Sequence, residues 1–402
     1  MKNIYLDYAA TTPIDPQVLE SMKPYFSELF HNPSGMYKEA VEVSRSVEDS
    51  RKTIAHFLSA RPSEVVFCDG GTEANNIALL GMLEYWKKNN PDKQPHIITS
   101  SIEHSSVYEL SRFLEKEGYA DITFLEVDEH GVIDSKQLKN SITENTVAVS
   151  IAYANGEVGV IQDIKEIAKL ARHYKKHNDT EYPYVHTDAS QASLYCNMNV
   201  LQLGVDVMTV TASKMYGPKK MAALFVKRGT KIQPLLHGGS QELSLRPGTE
   251  NVPYIVGFAK AVELVKNNFD TEYPRLAELK KKFLKHISSI EPKPIINGES
   301  DHHEYLPSIV NITIPGLSSE EIVLRLDAKG IACSMKSACA NNSEGDSHVI
   351  LAMRTNVEKN KDETGSIRFS LGRGTTEDDL LYTAAVLKDV VESINTFKQK
   401  IT

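Results

Sequence analysis

Val65-Val66-Phe67-Cys68-Asp69-Gly70-Gly71-Thr72-Glu73-Ala74-Asn75 sets the pattern for the first two thirds of the chain. A β-branched and aromatic run reads as a strand. Two glycines and a threonine read as a tight turn. A helical pattern then runs from Glu73 to Lys88. Upstream, Tyr37 to Leu58 reads as one amphipathic helix, with Ala40, Val41, Val43, Val47, Ile54 and Leu58 as its apolar stripe. Downstream come the short runs Ile97-Ile98-Thr99, Val147 to Ile151, Tyr184-Val185-His186 and Val207 to Val210. Further strands are expected at Ala222 to Val226 and Ile309 to Ile314. Strands alternating with helices predict an α/β fold with a mainly parallel sheet sandwiched between helices.

The last third reads differently. A charged helix is expected from Leu276 to Ile290, then short strands, then a closing helix from Glu377 to about Lys398. The domain change is placed near Asn267–Asp270. A large domain would cover 13–267, and a smaller α/β domain would combine 1–12 with 268–402. The first dozen residues read as extended and as packing on the second domain.

Composition narrows the function. The chain has 402 residues, 41% apolar and 24% charged, which excludes a disordered chain, a collagen and a coiled coil. A balance of 45 basic to 53 acidic residues, net −8, with no basic block, argues against nucleic acid or a membrane surface as partner. The four cysteines, at 68, 196, 333 and 339, form no C-x-x-C pair. That argues against a disulfide scaffold or a structural zinc site, and for a reducing compartment. The opening MKNIYLDYAATT has no apolar core of a secretory signal, and no run approaches a membrane span. The expectation is a soluble cytoplasmic protein.

The chemistry gathers around Lys214 in Thr211-Ala212-Ser213-Lys214-Met215-Tyr216-Gly217-Pro218, after an apolar run ending at Val210. Asp188 ends the run from Tyr184, 26 residues before Lys214, room for one helix and a return strand. Both would then point into one crevice at the carboxyl ends of parallel strands. Asp69-Gly70-Gly71-Thr72 lies at a helix start, where backbone N–H groups and the Thr72 hydroxyl suit a phosphate. A lysine for an aldehyde, an acid for a ring nitrogen and a phosphate cradle together point to pyridoxal 5'-phosphate. Taken singly, Lys214 reads as a surface lysine, Asp188 as a strand-end acid and Gly70-Gly71-Thr72 as a helix start. The ordered set carries the reading. Asp301-His302-His303-Glu304 sits in an isolated polar loop and is not read as a metal site.

The chain resembles the pyridoxal-phosphate-dependent cysteine desulfurases, which supply sulfur for iron–sulfur clusters and tRNA thiolation. The match runs from Ile4 to about Leu381. It includes Tyr5 to Pro13, Asn32-Pro33-Ser34, Gly71 to Asn76, Glu103-His104 and Asn155-Gly156-Glu157-Val158-Gly159. It continues through His186 to Gln191, Ser213 to Pro218, His237-Gly238-Gly239, Arg246 to Thr249, Ser337-Ala338-Cys339 and Arg368 to Arg373.

The resemblance implies a fold type I architecture and a role for each residue. Lys214 would hold the cofactor and move protons on the substrate. His104 would stack on the pyridine ring and serve as acid or base. Its bland alternative is a capping histidine at a helix start. Asp188 would pair with the ring nitrogen and Gln191 with the phenolic oxygen. Gly71, Thr72, Thr211 and Ser213 would cradle the phosphate, and Thr249 would reach the phosphate of a partner subunit in a homodimer. Asn155 and Arg368 would hold the carboxylate of L-cysteine, for which Arg offers a bidentate clamp. Cys339, in a polar loop-forming stretch, would take the sulfur as a persulfide. Cys68, Cys196 and Cys333 read as structural.

The family pattern is departed from at three places. Ser213 stands where the family usually has His, Met335-Lys336 where it has Gly, and Gly156 where a second Asn is usual. Lys336 could lower the Cys339 thiol pKa. None removes a reacting group. The long stretch around Cys339 matches the branch that hands sulfur to a separate acceptor protein. Competing readings are a selenocysteine lyase, an aminotransferase, and a catalytically idle sulfur-pathway scaffold. An aminotransferase has no use for the thiol of Cys339, and the scaffold has none for Lys214, Asp188 and Arg368.

Overall fold

The computed structural model describes residues 3–335, 347–354 and 366–399. Its main sheet has seven strands, ordered Val65–Cys68, Ala222–Val226, Val207–Thr211, Tyr184–Asp188, Thr146–Ser150, His96–Ser100 and Asp121–Leu125. Ala222–Val226 runs antiparallel to both neighbours, and the other pairs are parallel. Most of these strands are buried along their whole length, because helices cover both faces. Asp121–Leu125 is the partly exposed edge, and its alternating polar residues hid it from the apolar pattern.

The helix expected from Tyr37 spans Lys38–Leu58, and the one expected from Glu73 spans Gly71–Asn89. The helix expected over Leu276 to Ile290 is instead the end of a 36-residue helix, Val252–Ile287, with Pro274 inside it. Proline removes one backbone bond and crowds the preceding turn. Packing carries the helix through: Val252, Ile255, Phe258, Val262 and Val265 join the core under the main sheet. Leu276, Leu279, Phe283 and Ile287 join a second core.

That second core lies under a three-stranded antiparallel sheet, Ile367–Ser370, Ile309–Thr313 and Ile295–Ile296, and the helix Glu377–Gln399. The chain start belongs to it as well. Ile4–Tyr5 pairs in parallel with Ile331–Ala332, and Ile4 and Leu6 are buried there. Phe283 meets Phe369 edge to face, ring centres 5.2 Å apart, and both are fully buried. Replacing Phe283 by Ala should cost about 3–5 kcal/mol of unfolding free energy, read by denaturant titration.

Candidate active site

Parallel strands that share a direction bring their carboxyl ends to one edge. Here the segments at that edge place Gly71-Thr72, Glu103-His104, Asn155-Gly156, Asp188, Gln191, Thr211 and Ser213-Lys214 around one cavity of about 220 Å³. This is the crevice where open α/β sheets bind ligands. Arg368 from the smaller sheet and Ala9-Ala10 from the chain start close its other wall.

Lys214 sits in a short 3-10 turn after Val207–Thr211, and its Nζ donates to the carbonyls of Ala9 and Ala10, both at 2.7 Å. Asp188 ends its strand 7% exposed. Its Oδ1 accepts from Ser190 N at 2.9 Å and its Oδ2 from Asn75 Nδ2 at 2.7 Å. The Gln191 amide donates to Ala9 O at 2.9 Å. Gly70 has φ +91°, a left-handed conformation that glycine adopts freely, and it turns the chain into the helix Gly71–Asn89. A Cβ on Gly71 would lie 2.8 Å from Thr211 Cγ2, so only glycine fits beside that strand end. Thr211 Oγ1 is buried and has no partner among the described residues.

These features fit the cofactor implied by the resemblance. An orphaned hydroxyl, a glycine too crowded for a side chain and the start of a 19-residue helix form a cradle for a phosphate. The Asp188 carboxylate and the Lys214 amine line the same cavity, a pair of groups that suits a ring nitrogen and an aldehyde. Ser213 lines the cavity too, and its carbonyl accepts from the Thr12 hydroxyl at 3.0 Å. Thr249 is exposed and does not line the cavity. Its neighbour Arg246 is anchored close by, donating to Glu73 in the first turn of the cradle helix at 3.3 Å.

Arg368 is 3% exposed and donates to Asp7 Oδ1 at 2.7 Å and to Gly156 O at 2.9 Å. Its Nε is buried without a partner among the described residues, so donors remain for a carboxylate. Asn155 donates one amide hydrogen to Ile102 O at 2.8 Å and accepts from the N–H groups of Glu157 and Val158. Its second amide hydrogen is what could serve a substrate. A Cβ on Gly156 would lie 2.7 Å from Gln191 Nε2, which accounts for glycine at that departure. Cys339 and Lys336 lie outside the described residues. Burial pushes the thiols of Cys196 and Cys333 up to about 12, and that of Cys68 well above its usual value. None of these three is poised as a thiolate.

His104 is the N-cap of the helix Ser105–Lys116, accepting from Ser106 N. It also lines the cavity, so the capping role and the cavity role belong to one residue. The sequence did not single out Asn75, Ser106, Asp7 or the carboxyl of Glu103. Glu103 is 1% exposed; Ser100 and Ala152 donate to its Oε1, while Oε2 has no partner among the described residues. Burial pushes its carboxyl up to about 7, with the Asp188 charge adding to the rise.

The chain from residue 4 to 382 matches the aminotransferase class-V family model. It is 41% identical over 395 residues to the cysteine desulfurase IscS of Dictyoglomus turgidum, covering 98% of this chain and 96% of that one. The chain belongs to the cysteine desulfurases of the class-V aminotransferase family. A solved NifS-like protein superposes on this desulfurase chain with TM-score 0.86 at 29% identity, covering 98% of this chain and all of that one. A structure described as SspA in complex with cysteine is 33% identical, with TM-score 0.77, over 92% of this chain and 98% of that one. Among the described residues no helix is long and apolar enough to cross a membrane.

Glu103 gives a pH test. A carboxyl held at about 7 in the fold and near 4.5 when unfolded keeps its proton only in the native state between those values. Stability therefore falls as pH rises through that window, by about 1.4 kcal/mol per unit, and levels off above it. Gln does not titrate. The stability of Glu103→Gln relative to wild type should climb between pH 4.5 and 7 by about 3 kcal/mol and then flatten, measured by denaturant unfolding at each pH.

Proposed function

We propose that this chain is a cysteine desulfurase that converts L-cysteine to L-alanine, holds the sulfur as a persulfide on Cys339, and passes it to an acceptor protein. The observation that carries the reading is the convergence of Lys214, Asp188, His104 and Arg368 on one cavity. The 41% identity to a cysteine desulfurase IscS, and the likeness to a protein solved with cysteine, support the substrate.

Pyridoxal phosphate, when bound, would supply an electron sink for the substrate Cα. Gly71, Thr72, Thr211 and Ser213 would hold its phosphate, Asp188 its ring nitrogen, Gln191 its phenolic oxygen and Lys214 its aldehyde. The protein's own groups do the rest. Arg368 and Asn155 orient the substrate carboxylate. Lys214 Nζ moves protons at the substrate carbons. The Cys339 thiolate bonds to the substrate sulfur as the carbon–sulfur bond breaks, and the carbon left behind takes a proton. The balance is L-cysteine plus one thiol giving L-alanine plus one persulfide.

A homodimer belongs to the same proposal. Thr249 is exposed and does not line its own cavity, while Phe30, Met36, Tyr37 and Leu243 expose large apolar area. A second copy would cover that area and bring Thr249 to the partner's phosphate. Burial raises the pKa of each described thiol, which supports giving the nucleophile's role to Cys339. Sulfur acceptance by a carrier for clusters or tRNA thiolation, and a cytoplasmic location, complete the reading.

The test is sulfide release from L-cysteine with a thiol reductant, with visible spectra recorded alongside. Wild type should be yellow and active. Cys339→Ser should be equally yellow, with sulfide release reduced at least about a hundredfold. Full activity in the variant would remove Cys339 from the chemistry, and selenide release from selenocysteine alone would favour a lyase.

A further inference from the structure

Behind the cavity wall a buried hydrogen-bond chain joins Asp188 to His104. Asn75 is fully buried, and its Nδ2 donates to Asp188 Oδ2 at 2.7 Å and to Ser106 Oγ at 2.8 Å. Ser106 Oγ lies 2.8 Å from His104 Nδ1, and Ser106 N donates to the same ring nitrogen at 3.2 Å.

We propose that Asn75 is a positioning residue which, through Ser106, holds the His104 ring in the tautomer with its proton on Nε2, under the control of the Asp188 carboxylate. Each donor direction follows from the one before. A carboxylate only accepts, so the Asn75 amide must turn its NH2 toward Asp188. The second hydrogen of that NH2 points to Ser106 Oγ. A hydroxyl that accepts from Asn75 has its own hydrogen to give, and His104 Nδ1 is the acceptor beside it. With the Ser106 hydroxyl and the Ser106 backbone N–H both directed at it, Nδ1 has no room for a proton. The neutral ring then carries its proton on Nε2. His104 then offers the cavity a hydrogen-bond donor at Nε2, and making Nε2 an acceptor would require the Ser106 hydroxyl to turn away from Nδ1 and the backbone N–H cap to be given up.

The orientation of Asn75 has a penalty that supports the assignment. Its Oδ1 is buried and has no partner among the described residues. A buried carbonyl without a donor disfavours the fold. An amide reversed to relieve it would set a carbonyl against the Asp188 carboxylate, so the charge of Asp188 enforces the strained choice. The tautomer stands independently of the desulfurase reading, and only its catalytic consequence rests on that reading.

The test is a long-range proton–nitrogen correlation spectrum of the full-length protein labelled with 15N-histidine, recorded with cofactor and after its removal. The His104 signal is identified by its loss in His104→Gln. Wild type is expected to show an unprotonated Nδ1 and a protonated Nε2. Asp188→Asn keeps the shape and removes the acceptor-only constraint. The new amide presents NH2 to Asn75, Asn75 reverses, and Ser106 donates to Asn75 Oδ1 in place of the ring. The Nδ1-protonated share should then rise at least about fivefold, the worth of one hydrogen bond. Ser106→Ala removes one of the two donors and should shift the ring the same way, which keeps the test open if Asp188→Asn folds poorly. A wild-type ring protonated on Nδ1, or an Nδ1-protonated share that stays at the wild-type level in both variants, would overturn the proposal. Loss of sulfide release with the expected tautomers intact would count against the desulfurase reading and leave this one standing.

Discussion

One carboxylate at the end of one strand governs the site. Asp188 is almost fully buried, with two donors aimed at it. A buried charge is tolerated only where its neighbours are neutral or donate to it. The surroundings meet that demand. His186, two residues earlier on the same strand, is enclosed by Ser150 and Thr209, and burial pulls its ring below the usual imidazole range, which favours the uncharged form. Glu103 is pushed the other way and holds its proton up to about 7. The cavity wall thus keeps one acid available as an acceptor for a cationic ring and silences its neighbours.

A second constraint links the two cores. The chain start leaves its strand at Tyr5 and runs across the cavity mouth, where Asp7 meets Arg368 and the carbonyls of Ala9 and Ala10 meet Lys214. The Arg368 side of this pair is buried and the Asp7 side half-buried, so removing Asp7 would leave the guanidinium charge uncompensated. Asp7 therefore sets where the Arg368 guanidinium lies before any substrate arrives. Three residues near the start of the chain position two groups more than two hundred residues away.

Much of this was legible in the sequence. Lys214, Asp188 and the Gly-Gly-Thr turn were found because strand ends, breaks and glycines leave local marks, and the sheet brings them to one edge as expected. What escaped has physical causes. Only the second half of the helix Val252–Ile287 is legible, as the charged stretch from Leu276; its first half carries no expectation in the sequence, and packing against both cores makes the two halves one helix across Pro274. Asn75 and Ser106 were passed over because a buried amide and a serine carry no periodic signal. Their meaning exists only across pairs separated by 31 and 113 positions. The Asp7–Arg368 contact spans 361 positions, and no local pattern announces it.

The assignment of the cavity to an aldehyde cofactor rests most on Lys214. Borohydride reduction of the purified full-length protein, followed by digestion and peptide mass spectrometry, tests it directly. The added mass of a reduced pyridoxal phosphate should appear on the peptide containing Lys214 and on no other lysine. A reduced protein with no such adduct, or one carrying it elsewhere, would contradict the site described here.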